Sequence, residues 1–528
     1  RRLFDGFPRH PERQDLQRLI PLLQRSYYQV RQEELAAEID RIEKQLATSD
    51  APAMVARLSD DSMRYLRSRL AARYGKGHKR PIFQHITPEL LKEYPVVLST
   101  TFSSRSNFRA ETLFDYVIMD EASQVSSETG ALALMCARNA VIVGDSMQLP
   151  NVITDADRLR MQAIGAKHAI DPRYDCAALS FLESACRVFP EAPQTLLREH
   201  YRCHPKIINF CNQRFYGGRL LIMTEDHGEP DVIMAWRTAP GHHARGAFNP
   251  REIETIRREV LPSLPCEQTE IGIIFPYNEQ VNALHRELGG GIDVATVHKF
   301  QGREKEAIIL STVDDQITAF TDDPNLLNVA VSRAKRQFML VTSSNEQPDS
   351  RNIVDLLAYI DYNGGKITES AIHSVFDLLY EPYAEARREF LKRHRRISEF
   401  DSENLTYALL ERVLAADPAL LHLGVLCHQP LRQLIRDWTL LNDEERRYAS
   451  NGATHLDFLI YNRVSKRPVL AIETDGYRFH KQGTRQSERD RMKDRILDRY
   501  SLPLLRLSTT GTDEETKIHT QLTELLQR

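Results

Sequence analysis

The sequence predicts an α/β protein built on parallel sheets, with a helical segment at its start and a smaller α/β unit at its end. Three observations carry this. Short apolar runs break off into acidic or polar loops, as in Tyr116-Val-Ile-Met-Asp120-Glu121 and Ala140-Val-Ile-Val-Gly144-Asp145. Such runs read as strands buried on both faces of a parallel sheet. The first 90 residues instead repeat apolar residues at helical spacing. Near the end, His455–Tyr461 and Pro468–Asp475 form two strand-like runs around a basic loop, the pattern of a hairpin.

Composition narrows the class. A chain of 528 residues has room for roughly three to four domains. Its 41% hydrophobic and 27% charged residues are those of an ordinary globular protein. Net charge is -3, so any nucleic-acid binding must come from local patches. No apolar run reaches membrane-span length and no signal-peptide pattern occurs, so a cytoplasmic protein without a membrane partner is expected. The seven cysteines are scattered without a CxxC pair, which argues against zinc or iron–sulfur sites.

Taken in order, Leu35, Ile39, Ile42 and Leu46 form one apolar stripe, and Met54, Leu58, Met63, Leu66 and Leu70 form a second after Asp50-Ala-Pro52. Two long helices with packed stripes are expected over 1–90. Val96-Val-Leu-Ser-Thr100-Thr101-Phe-Ser103-Ser104 reads as a strand ending in hydroxyls. Hydroxyls suit contacts to backbone phosphates, which position a nucleic-acid strand without reading its bases. The Asp120-Glu121-Ala-Ser-Gln124 loop and the Asp145-Ser-Met-Gln148-Leu-Pro150 loop both follow strands, where open α/β sheets place their ligands. Further on come Leu197-Arg-Glu-His200-Tyr201-Arg202, the strand Ile271–Phe275, Val294-Ala-Thr296-Val-His298-Lys-Phe-Gln-Gly302-Arg-Glu304, the strand Ala307–Ser311, and Asn328-Val-Ala-Val-Ser-Arg333.

This series resembles the motifs of superfamily 1 helicases, in the branch that includes the RNA-surveillance helicase of nonsense-mediated decay. The resemblance covers about 95–345 and implies two RecA-like domains, over 91–192 and 193–345, with 1–90 as a helical insertion and 346–399 as a helical linker. It also implies ATP and Mg²⁺ as cofactors and nucleic acid as partner, DNA more than RNA. Asp120 is expected at Mg²⁺, Glu121 at the attacking water, and Asp145 and Gln148 in the neighbouring motif. Tyr201 is expected on the adenine, Arg202 and the finger Arg333 at the phosphates, and Gly302 and Glu304 beside the nucleotide. Thr100, Thr101, Ser103, Thr296 and His298 are expected along the nucleic-acid strand. His200 stands where the family has Gln. No G-x-x-x-x-G-K-[ST] occurs. That phosphate loop is expected upstream in a longer protein, and no ATP hydrolysis is expected from this chain alone.

The C-terminal unit, 400–528, opens with a helix from Ser402, expected as its cap. Glu473 and Asp475 lie two apart on one strand and so share a face, with Asp457 on the neighbouring strand. Three converging carboxylates suit Mg²⁺ better than a packed core. With His480, Asp490 and Lys493 following, the unit resembles PD-(D/E)XK nucleases, notably those like the very-short-patch-repair endonuclease. The usual Lys position holds Asp475, so His480, Lys481 or Lys493 would have to assist the water. The expected function is an ATP-dependent helicase or translocase fused to a metal-dependent DNA endonuclease, in bacterial DNA processing or defence. An RNA-remodelling motor and a non-catalytic nucleic-acid scaffold are the alternatives.

Overall fold

In a computed structural model, residues 13–74, 88–106, 112–288, 290–476 and 485–527 are described. The chain divides into two units, Arg1–Val96 and Val97–Arg528.

The first unit holds long helices Arg13–Thr48 and Ala51–Tyr74 and a short one, Pro88–Glu93. Neither long helix contains a Gly, and i,i+3 or i,i+4 pairs such as Lys44–Asp40 and Arg64–Asp61 line their surfaces. Their apolar stripes are not packed, contrary to expectation: Ile39, Met54 and Leu58 are all exposed. A stripe is buried only where another element covers it, and spacing along one helix cannot supply that cover.

The second unit begins with β1 (Phe114–Met119) and β2 (Ala137–Ile142), a parallel pair. They form a two-stranded sheet, so the expected burial of both faces fails. Tyr116 is 63% and Ile118 72% exposed, while Met119 packs with Ala122, Ala133 and Phe181 beneath the helices Ser127–Leu134 and Phe181–Val188. The expected strand at 96–101 is also absent. Residues 94–100 belong to no helix or strand, and Leu98 is 93% exposed. The chain then enters the short helix Thr101–Ser104, where Thr100 Oγ1 accepts from Ser103 N at 3.2 Å. Hydroxyl side chains favour such caps over continued extension.

After a small parallel pair, β3 (Glu199–His200) and β4 (Leu221–Ile222), comes the main sheet. Its strands are β5 (Ile233–Thr238), β6 (Ile271–Phe275), β7 (Asp293–Thr296), β8 (Lys305–Ser311), β9 (Ala334–Ser343) and β10 (Ile367–Glu369). They are all parallel, in the order β10-β5-β9-β8-β6-β7. Here both faces are buried as expected. Phe338 and Leu340 join Ile207, Phe210 and Leu327 on one side, while Met339 and Val341 join Ile253, Ile256 and Leu284 on the other. At Gly272 a Cβ would lie 2.5 Å from the Phe300 ring, so glycine lets that ring reach the sheet. The 346–399 segment, expected as a helical linker, carries helix Asn352–Tyr362 but also the edge strand β10. Pairing with β5 draws it into the main sheet.

The last sheet is β11 (Leu423–Pro430), β12 (His455–Asn462), β13 (Pro468–Asp475) and β14 (Leu504–Ser508), in that order. The first two pairings are antiparallel and the third is parallel. Helices Asp401–Ala416 and Glu514–Gln527 cover the face of Phe458, Ile460 and Ile472, and helix Arg485–Arg499 covers that of Leu459 and Ala471. The cap of helix Asp401–Ala416 is Phe400, so Ser402 sits in its first turn rather than at the cap. Among the described residues no helix is long and apolar enough to cross a membrane.

Candidate active sites

The first site forms where β1 ends. Ala122 N donates to Val143 O, which bends the chain sharply, and Glu121 takes the left-handed conformation at φ 54°. A non-glycine residue held there costs on the order of 1 kcal/mol and persists only where its surroundings impose it. The turn leaves Asp120 and Glu121 exposed. Asp120 Oδ1 accepts from Glu121 N at 2.9 Å, and Glu121 Oε2 accepts from Gln124 Nε2 at 2.9 Å.

Within electrostatic reach of Glu121 is Arg333 of the main-sheet region, with Arg202 beside it. Arg333 ends helix Pro324–Ser332, buried, with Nε donating to Val329 O at 3.2 Å. Burial lowers its pKa, Arg202 adds repulsion, and Glu121 pulls the other way. Arg202 pairs with Glu304 at 2.5 Å, and Lys335 reaches the same carboxylate at 3.0 Å. His200 lies beside both arginines. Burial, then Arg202 and Arg333, push its pKa down to about 4, so it is a neutral acceptor for Cys203 N at 2.9 Å. That is how a His can stand where the related motif has Gln. Tyr201 is exposed, its hydroxyl bonded to Glu199.

Asp145 is shared across this cleft. It accepts from Met147 N at 2.9 Å, Gln148 Nε2 at 3.1 Å and Tyr216 OH at 2.6 Å. Asn328 Nδ2 donates to both Tyr216 OH (2.8 Å) and Met147 O (2.7 Å). Sequence reasoning gave no role to Tyr216 or Asn328. Nothing in spacing shows that they meet a loop some 70 to 180 positions earlier.

Thr100 and Thr296 occupy equivalent local geometries. Each is an N-cap with extended backbone before a four-residue helix, Thr101–Ser104 and Val297–Phe300. Thr101 and Ser103 are half-buried, Thr296 is buried and His298 is exposed. Gly302 has φ 77°, a conformation that glycine adopts without strain.

The residues that could hold Mg²⁺ and ATP are an exposed acid pair, two neighbouring arginines and an exposed tyrosine ring. The sequence contains no G-x-x-x-x-G-K-[ST].

The second site lies on the C-terminal sheet. Asp457 and Glu473 are neighbours, Asp457 N donating to Glu473 Oε1 at 3.3 Å. Asp457 Oδ2 accepts from Thr474 N at 2.8 Å. Glu473 is only 5% exposed. Burial raises both carboxyl groups, Glu473 to about 7, against the opposing pull of Lys493. Lys493, from helix Arg485–Arg499, sets Nζ 2.6 Å from Glu473 Oε2 and 3.0 Å from His455 O.

The expected three-carboxylate cluster does not form. Asp475 is taken by Arg506 of β14 at 3.0 Å, and Arg506 also holds Asp494 at 2.7 Å. A partner strand decided this, because Glu473 and Arg506 are opposite each other in register. His480 and Lys481 lie outside the described residues. A divalent ion therefore fits the Asp457–Glu473 pair, whose like charges and burial it would offset, and not a triad with Asp475.

Among the described residues, one group of three potential metal ligands lies within 4.8 Å: His204, Asp226 and Glu229. His204 Nδ1 accepts from Lys206 N at 3.2 Å, so in the neutral ring Nε2 carries the proton toward the two acids. That arrangement caps a helix and leaves no lone pair for a metal.

Comparison with known proteins matches residues 16–156 and 177–345 to two families described as AAA domain, and 400–525 to one described as protein of unknown function (DUF2726). An uncharacterized ATP-dependent helicase of Methanocaldococcus jannaschii is 27% identical over 292 residues, 50% of this chain and 41% of that protein. The DNA replication ATP-dependent helicase/nuclease DNA2 of Gallus gallus is 28% identical over 272 residues, 48% of this chain and 25% of that protein. The chain is thus homologous to superfamily 1 helicases and spans less than half the length of these relatives. Among solved structures, the PRRSV helicase aligns over 52% of this chain and 48% of its own at 15% identity, with a TM-score of 0.24.

Proposed function

We propose that this chain supplies the nucleic-acid-coupled part of an ATP-driven translocase, with a metal-dependent nuclease unit at its C-terminal end. The motor reading is supported by Arg333 lying within electrostatic reach of both Arg202 and Glu121, which are far from it in sequence. Asp120 would hold Mg²⁺ and Glu121 would orient water. Tyr201 would stack on the base, and Gly302 and Glu304 would border the nucleotide. Bound Mg²⁺ and ATP supply the phosphoryl group and its charge neutralisation. Arg202 and Arg333 would then meet the phosphate oxygens, with Glu304 and Lys335 holding Arg202 in place. The Gln148–Asp145–Tyr216–Asn328 chain would let cleft closure be felt by the nucleic-acid-facing segments, where Thr100, Thr101, Ser103, Thr296 and His298 would contact phosphates.

The test is nucleic-acid-stimulated ATP hydrolysis by the protein with its phosphate loop. Glu121→Gln should retain ATP binding with little turnover, and Arg333→Ala should lose on the order of 10³-fold. Near-wild-type turnover in either variant overturns the motor reading.

For the nuclease unit, support comes from Asp457, Glu473 and Lys493 meeting at one point. Lys493 would take the place of the lysine missing at Asp475, and a bound divalent ion would activate water there. DNA cleavage in Mg²⁺ or Mn²⁺ should vanish with EDTA and in Asp457→Ala. If no DNA or RNA is cut, the unit is a binding module instead.

A further inference from the structure

We propose that His428, held by Glu403, is the proton donor to the leaving group in phosphodiester cleavage at the C-terminal site; this rests on the nuclease reading above.

His428 lies inside β11, yet its φ is +50°. Glycine, which has no Cβ, adopts that conformation freely; any other residue there, even Asn, Asp or His, which tolerate it best, is held at a cost on the order of 1 kcal/mol. The strand does not relax by inserting a residue. Cys427 pairs with Phe458 and Gln429 with Leu456, so the register runs through unbroken and sets His428 across from Asp457. The next strand continues the row: Phe458 pairs with Ile472, which sets Asp457 across from Glu473. Strain is therefore kept at the one position of β11 that stands in line with the acid pair.

The ring is also oriented. Its Nε2 lies 2.9 Å from Glu403 Oε2, on helix Asp401–Ala416, and the ring meets His455 edge-on at 5.4 Å. A carboxylate only accepts, so Nε2 is the donor and Nδ1 is the nitrogen left for a substrate. The His428 side chain remains 37% exposed, while that of Glu403 is 16% exposed. The orienting acid is thus the less exposed of the two, and the ring keeps part of its surface in solvent.

The balanced step is hydrolysis. Water oxygen bonds to phosphorus and the bond from phosphorus to the leaving oxygen breaks. That oxygen takes the Nδ1 proton of the imidazolium form of His428, leaving a neutral ring with its proton on Nε2, and the water proton passes to solvent, from which the imidazole is reprotonated. A general acid of this kind contributes about 10²–10⁴-fold.

The experiment uses the full chain with DNA oligonucleotides in Mg²⁺ or Mn²⁺. One substrate is ordinary, and the other carries sulfur in place of the leaving oxygen at the mapped cleavage point. A thiolate leaves without a proton. His428→Asn suits the positive φ, and its melting temperature should match wild type. It should cut the ordinary strand at least about 10²-fold more slowly and recover wild-type rate on the sulfur strand. In the metal-free protein, ¹⁵N spectra should show the His428 proton fixed on Nε2 in wild type and that preference lost in Glu403→Gln. Equal cleavage by His428→Asn and wild type, or failure of sulfur to restore the variant, overturns the proposal and leaves the nuclease reading standing. If the wild type cuts neither strand, both fall.

Discussion

At the scale of single residues, burial rather than proximity to other charges governs the strongest perturbations. Glu252 is fully buried yet accepts from Ser311 Oγ, from Thr312 Oγ1 at 3.2 Å and from Val313 N at 2.9 Å. Those bonds favour the carboxylate, but desolvation exceeds them and raises the group to about 8. The folded state therefore binds a proton more tightly than the unfolded chain. The stabilising contribution is complete below pH 4.5 and is lost as pH rises toward 8. Over that window each pH unit costs up to about 1.4 kcal/mol. Thermal melts of Glu252→Gln against wild type should show a flatter pH dependence between these limits, and parallel curves would refute the assignment. The site it serves is a strained one: Val313, β-branched, sits at φ 68° with its N–H on this carboxyl.

Between elements, the joint from the main sheet to the C-terminal unit is polar and buried. Arg251 of helix Pro250–Thr255 donates to Asp377 at 3.0 and 2.8 Å and to Ile372 O at 3.1 Å. Phe376, the neighbour of Asp377, belongs to the core of the C-terminal unit. Removing one partner of such a pair leaves an uncompensated buried charge and costs about 3–5 kcal/mol. Asp377→Ala should lower the unfolding free energy by that amount in urea titrations, and Arg251→Met with Asp377→Leu should recover much of it. An unchanged midpoint in Asp377→Ala would show that the joint is not held this way. The same scale explains the lost carboxylate cluster. Whether Asp475 turns to a metal or to a cation depends on what the adjacent strand presents, and β14 presents Arg506.

For the whole molecule, net charge is slightly negative, so the proposed nucleic-acid binding would rest on local contacts. Thr100 and Thr296 cap short helices, and Thr101 opens the first of them. Thr100→Ala with Thr101→Ala should weaken single-strand binding to the same degree for every sequence, as phosphate contacts read no bases. Affinity should also fall with rising salt, measured by fluorescence anisotropy. A salt-independent affinity, or a loss confined to one sequence, would argue against phosphate contacts at these residues.

What the sequence by itself determined is local. Apolar runs such as Ile271–Phe275 and Ala307–Ser311 carry their strand character in their own composition, and the parallel main sheet buries them as expected. Acids following strands, and Glu473 two residues from Asp475, are likewise visible without coordinates. The tertiary structure decided everything that depends on a neighbour from elsewhere. It left the stripe of Leu35 and Ile39 in solvent and exposed Tyr116 and Ile118, because burial is a property of what lies opposite. It also turned the hydroxyl segment after Leu98 into a capped helix rather than a strand. Lys493 was brought to Glu473, Arg506 to Asp475, and Tyr216 with Asn328 to Asp145. Side-chain partners across a sheet follow from strand order and register, and neither is written at short range in the chain.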